Sequence, residues 1–100
     1  MRVILEVEIS VEWKVYGCNL LAFCREMDLQ FQPEKGMLLD LQLQGEPASG
    51  SFEVQKVRWH ERTGLLVVHL KLDPHWDRIS VENFDLNIWR KGDYFVTFAV

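Results

Sequence analysis

Three histidines, two cysteines and a scatter of carboxylates are the residues of this chain that could hold a metal, attack a substrate or move a proton. The histidines are His60, His69 and His75. None stands in a His-x-x-x-His pair and neither cysteine in Cys-x-x-Cys, the spacings that bring ligands to one ion. Asp73 and Asp77 flank His75 and complete only a loose set. Imidazoles on a polar face are the ordinary outcome, so no metal and no cofactor is expected. Cys18 and Cys24 carry no local activating signature, and no Gly-x-Ser-x-Gly is present. Ser49, Ser51 and Ser80 fall in or beside turns, where serine serves its own hydrogen bonding. The glycines are isolated, so no phosphate-cradling loop forms. The chain names no catalytic residue and is not expected to be an enzyme.

The carboxylates have one orderly feature. Glu6, Glu8 and Glu12 alternate with Leu5, Val7, Ile9, Val11 and Trp13. A period of two buries one face only in a β-strand, because successive side chains point to opposite sides. The glutamates then stand on the solvated face, about 7 Å apart per alternate residue. Such a row keeps a strand soluble, and it can also face a basic partner.

The same alternation recurs down the chain. The first strand is expected from Val3 to Tyr16. Leu20 to Glu26 suits a strand or a helical turn. Met27, Leu29 and Phe31 alternate again, and Pro33-Glu34-Lys35-Gly36 reads as a turn. Leu39, Leu41 and Leu43 face inward on the next strand. A loop of Glu46-Pro47-Ala48-Ser49 would pair Leu43 with Phe52 and Leu41 with Val54. The following strand changes phase, since Phe52 and Val54 are even-numbered and Val57 and Trp59 odd. A β-bulge at Gln55-Lys56 restores all four to one face. A hairpin through Glu61-Arg62-Thr63-Gly64 then pairs Trp59 with Leu66, Val57 with Val68, Val54 with Leu70 and Phe52 with Leu72, and sets Lys56 opposite His69. In this phase Trp13 and Trp59 point into the core.

Near residues 75–83 the spacing of Trp76, Ile79 and Asn83 predicts a short helix or turn. Phe84, Leu86 and Ile88 alternate, and Arg90-Lys91-Gly92 is read as the loop of a C-terminal hairpin pairing Ile88 with Tyr94. Trp89 and Phe95 fall on the opposite face, so this hairpin is apolar on both sides. Either the preceding segment covers the second face or another chain does. The fold expected is a single compact all-β domain over residues 1–100, a small antiparallel barrel or sandwich of six to seven strands.

The chain of 100 residues is 48% hydrophobic, enough for one core without disulfides or metal. Its net charge of −4 and scattered basic residues argue against nucleic acid. No apolar run approaches the roughly 20 residues that span a bilayer, and Glu6 and Glu8 come too early for a signal-peptide core. No membrane association and a cytoplasmic location are expected, with Cys18 and Cys24 as reduced thiols.

Gly36 to Leu72 resembles the later strands of PilZ-type six-stranded barrels, in which a leucine-rich strand leads through a hairpin to a Val-x-Trp strand, here Val57-Arg58-Trp59. The ligand motif of that family joins Arg-x-x-x-Arg to Asp-x-Ser-x-x-Gly. Arg58 and Arg62 match the arginine spacing but sit in a mid-chain hairpin. Asp77-Arg78-Ile79-Ser80 is one residue too long, and no glycine follows. Cyclic di-GMP binding is therefore not implied. The function expected is a small interaction module or subunit that contacts a protein partner or a second copy. Trp76, Trp89 and Phe95 form the expected contact patch, with Glu6, Glu8 and Glu12 as steering charges. The alternative is a β-barrel that holds a small ligand in a cavity lined by Trp13 and Trp59.

Overall fold

A computed structural model describes residues 1–13, 17–72, 79 and 81–91. The opening alternation does form a strand, β1 (Arg2–Trp13). It pairs antiparallel along its whole length with β2 (Gly17–Asp28), from Arg2 opposite Asp28 to Trp13 opposite Gly17. The ambiguous stretch Leu20–Glu26 is thus strand. Beyond Asp28 the expected alternation of Leu29 and Phe31 gives way to irregular chain. The turn that follows runs from Glu34 to Met37, with the Met37 N–H donating to Glu34 O at 3.1 Å and Gly36 at φ +89°. No residue with a Cβ adopts that φ easily.

The next three strands form an antiparallel meander: β3 (Leu38–Gln42), β4 (Ser49–His60) and β5 (Leu65–Leu72). The β4–β5 register is the one the sequence predicts. Phe52 lies opposite Leu72, Val54 opposite Leu70, Val57 opposite Val68 and Trp59 opposite Leu66, with the shift between Val54 and Lys56. Gly64 takes φ +69° in the connecting turn.

The β3–β4 register differs from expectation. Leu39, not Leu43, faces Phe52, and Leu41 faces Gly50. The loop is again four residues, but it is Gln44-Gly45-Glu46-Pro47, closed by Leu43 N–H to Ala48 O at 2.8 Å. Glycine decides this, because Gly45 takes φ +79°, a conformation the predicted Glu46–Ser49 loop had no glycine to supply. The shift keeps the parity, so the same leucines remain inward.

The two units join where β5 lies parallel to β1, Val3 opposite Leu66 through Glu8 opposite Lys71. The sheet is therefore mixed rather than purely antiparallel. Its order is β3-β4-β5-β1-β2-β6, where β6 is the two-residue Arg90–Lys91 paired with Cys24 and Phe23. Among the described residues it curls into a half-barrel, open between β3 at one edge and β2–β6 at the other. In place of the expected barrel or sandwich, the described residues form five strands of five to twelve residues and the two-residue β6 in an open sheet, and no α-helix occurs among them.

The concave face is filled. Val3, Leu5, Val7, Phe23, Phe52, Val54 and Val68 line it, and Ile79, Phe84 and Trp89 pack across it. Phe84 is stacked on Phe23 at 4.4 Å between ring centres and stands edge-on to Trp89 at 5.2 Å. Asn83 ties this segment to the β3–β4 loop, its Nδ2 donating to Gln44 O at 2.8 Å and Pro47 O at 3.2 Å. The expected strand through Phe84, Leu86 and Ile88 is absent. Asp85 accepts from three backbone amides: Asn87 N–H on its side chain at 2.9 Å, and Ile88 and Trp89 N–H on its carbonyl at 2.9 and 2.8 Å. A turn held this way breaks the period of two, so Leu86 and Ile88 are exposed and Trp89 is buried. Of the expected helix or turn near 75–83, the described part is a 3₁₀ turn at Val81–Asn83.

Candidate functional site

Of the expected contact patch, Trp76 and Phe95 lie outside the described residues. Trp89 is not a surface residue: it is 1% exposed and belongs to the core. Trp59 is corrected in the other direction. Its phase is inward, yet it is 62% exposed: it stands beside the Glu61–Gly64 turn, at the margin of the concave face, where its partner Leu66 is itself only partly buried against the core. Glu8 is exposed as expected, and the side chain of Glu12 lies outside the described part.

Glu6 is not solvated. It is 5% exposed, and its Oε1 lies 3.0 Å from His69 Nδ1 on the neighbouring strand. The Arg58 Nε–H donates to His69 Nε2 at 3.1 Å. The imidazole thus offers Nδ1–H to the carboxylate and a lone pair to the guanidinium, which is the neutral ring with its proton on Nδ1. Burial lowers the His69 pKa below the ordinary imidazole value. The charges of Arg58 and Lys56 act in the same sense, and Glu6 opposes them. This chain of side chains braces β1, β5 and β4 across the outer, convex face. It could pass a proton, but no metal-ligand cluster accompanies it among the described residues. Arg58, half of the arginine spacing noted in the sequence, is occupied in this brace.

The open seam has a different character. An apolar groove of about 400 Å³ lies along it, lined by Met27 of β2, by Leu29 and Phe31 of the connecting chain, and by Met37 to Leu41. Leu38 is 59% exposed and Phe31 43%. One wall of the groove is β3 itself, which pairs only with β4 among the described residues. Which backbone groups β3 leaves free follows from its hydrogen bonds. Gly36 N–H donates to Val54 O and Val54 N–H to Met37 O, both at 2.8 Å, the pattern of a bulge with glycine in its first position. Leu43 N–H bonds to Ala48 at the far end. Antiparallel residues alternate between bonding the partner and facing away. Leu39 and Leu41 therefore face β4, while Leu38, Asp40 and Gln42 turn their N–H and C=O groups to the free edge.

Beside this groove lies Arg25. It is opposite Leu5 in the β1–β2 register and so shares the concave face with Met27, two residues on. Its guanidinium lies 5.3 Å from the centre of the Trp89 ring. Its Nε is buried and donates to no acceptor among the described residues.

Neither Arg25 nor β3's free edge stood out in the sequence. The stretch Leu20–Glu26 that holds Arg25 suits a strand or a helical turn by sequence alone, and alternation says nothing about which strands lie at an edge. The available signal was turn chemistry, since Asn83, Asp85 and Asn87 mark a turn where Phe84, Leu86 and Ile88 suggest a strand. Comparison with known protein families, characterised proteins and solved structures finds no match to this chain.

Proposed function

We propose that this chain is a non-catalytic interaction module, and that it binds an extended segment of a partner protein as an added strand on β3. The observation that carries the reading is the conjunction at the seam: outward-facing backbone groups of Leu38, Asp40 and Gln42 beside an open apolar groove. Strand addition uses both parts, since main-chain hydrogen bonds supply affinity and pockets for alternate side chains supply selectivity. Exposed edges are otherwise a hazard that proteins cover or blunt. A second copy of the chain fits less well. The symmetric register that engages all of β3 sets Asp40 against Asp40, and like charges directly opposite repel. A small ligand inside the half-barrel is disfavoured because Ile79, Phe84 and Trp89 fill that space.

The setting we infer is cytosolic. Cys18 and Cys24 lie six residues apart on the single strand β2, about 20 Å, so they do not bridge each other. No helix among the described residues is long and apolar enough to cross a membrane.

Selection of a random linear-peptide library displayed on phage against the immobilised protein tests the reading. Asp40→Pro removes an N–H that β4 does not use, so the fold is retained while strand addition is blocked. Asp40→Ala keeps the N–H and serves as control. The expected result is peptides that bind wild type and Asp40→Ala but not Asp40→Pro. Absence of binders, or equal binding to all three, overturns the proposal.

A further inference from the structure

We infer that the docked segment carries a carboxylate, from Asp or Glu, that Arg25 receives; this rests on strand addition at β3. A guanidinium has five N–H donors in one plane and no acceptor. The guanidinium carbon lies over the Trp89 ring, 5.3 Å from its centre, a contact that supplies no oxygen or nitrogen acceptor. The Nε donor is out of contact with solvent and has no acceptor among the described residues. No ion pair to Arg25 occurs among the described residues, although Arg2, also on the β1–β2 hairpin, reaches both Glu26 and Asp28. A buried cationic donor left without an acceptor is costly, and Arg suits a site that receives a planar carboxylate.

Placement gives the ligand. Arg25 and Met27 are alternate residues on the concave face of β2, and Met27 lines the groove. β6 covers the β2 edge only as far as Cys24, so among the described residues it stops short of Arg25. A strand laid along β3 would send alternate side chains inward, toward Leu39, Leu41 and Met27. The next inward position on the Arg25 side is where an acidic side chain completes the guanidinium. The partner segment is thus extended, apolar at alternate positions, with one Asp or Glu in the same phase. Its other face meets Asp40 and tolerates a basic residue.

The test uses peptides recovered on the β3 edge. Sequences selected by wild type should be enriched in Asp or Glu at one position in phase with their apolar residues. Changing that residue to Asn or Gln should weaken binding at least tenfold. The same change should have no effect on binding to Arg25→Gln, measured by titration with melting curves as a fold control. Because the peptide change is made against wild-type protein, the result stands even if Arg25→Gln does not fold. Peptides that need an intact β3 edge but show no acidic preference, or lose nothing on Glu→Gln, overturn the Arg25 assignment and leave strand addition standing. Recovery of no peptide that depends on β3 removes both.

Discussion

Phe84→Ala is the sharpest probe of whether residues 79–91 belong to the core. The ring is fully buried, stacked on Phe23 at 4.4 Å and set edge-on to Trp89 at 5.2 Å and to Phe52 at 6.4 Å. Removing a buried phenylalanine costs about 3–5 kcal/mol through lost transfer energy and the cavity left behind. Each well-placed aromatic pair adds about 0.5–1.5 kcal/mol beyond area, which places this site toward the upper end. Domains of this size have about 5–15 kcal/mol in total, so the variant should keep only a fraction of its stability. With a urea dependence of about 1.5 kcal/mol per molar, a loss of about 4 kcal/mol lowers the unfolding midpoint by roughly 2.5 M. Phe84→Leu retains most of the apolar volume and should lose about 1–2 kcal/mol, chiefly the ring contacts. Urea unfolding followed by tryptophan fluorescence and by far-ultraviolet dichroism measures both. A loss below about 1 kcal/mol for Phe84→Ala would mean that this segment is a surface loop, and the account of Trp89 and Arg25 would fall with it.

Three further outcomes follow from the same geometry. The lowered His69 pKa means that the unfolded chain protonates first, so the contribution is complete above about pH 6.5 and is lost as pH falls from there through the folded value; melting temperatures between pH 5 and 8 should slope less steeply in His69→Gln, and identical slopes contradict it. A Cβ on Gly50 would overlap Ile79 Cδ1 and press on Leu43 and Phe52, so Gly50→Ala should cost about 1–3 kcal/mol in chemical denaturation. Adding Ile79→Val should recover part of that loss, whereas strict additivity would show that the two do not touch. Trp59→Ala should change stability by no more than about 0.5 kcal/mol despite its inward phase, and a loss above about 2 kcal/mol would return Trp59 to the core.

Alternation in the sequence carries phase and no more. It gave β1, the inward leucines of β3 and, through the change of parity between Val54 and Val57, the bulge and the whole β4–β5 register. A residue's depth depends instead on where the covering layer ends, which is why Trp59 has the right face and the wrong environment. Strand direction is likewise invisible, because a period of two serves parallel and antiparallel pairs alike; the parallel β1–β5 contact could not be read. The Glu6–His69 pair follows from that contact, so a glutamate that looks solvated in the sequence is buried. Turns are legible where glycine marks them, at Gly36 and Gly64; between β3 and β4, Pro47 points to a loop over 46–49, while the positive φ that closes the turn belongs to Gly45. At Asp85, side-chain hydrogen bonding to the backbone outweighed alternation and turned Trp89 inward.

Amide hydrogen exchange on β3, read residue by residue by NMR, tests the central claim most directly. In the free protein Leu39 and Leu41 should exchange slowly, their amides bonded to β4, while Leu38, Asp40 and Gln42 exchange fast at the open edge. With a selected peptide bound, those three amides should slow at least tenfold together, as a new ladder forms. Slow exchange at all five positions before any peptide is added, or unchanged exchange at Leu38, Asp40 and Gln42 under saturating peptide, would contradict strand addition on β3.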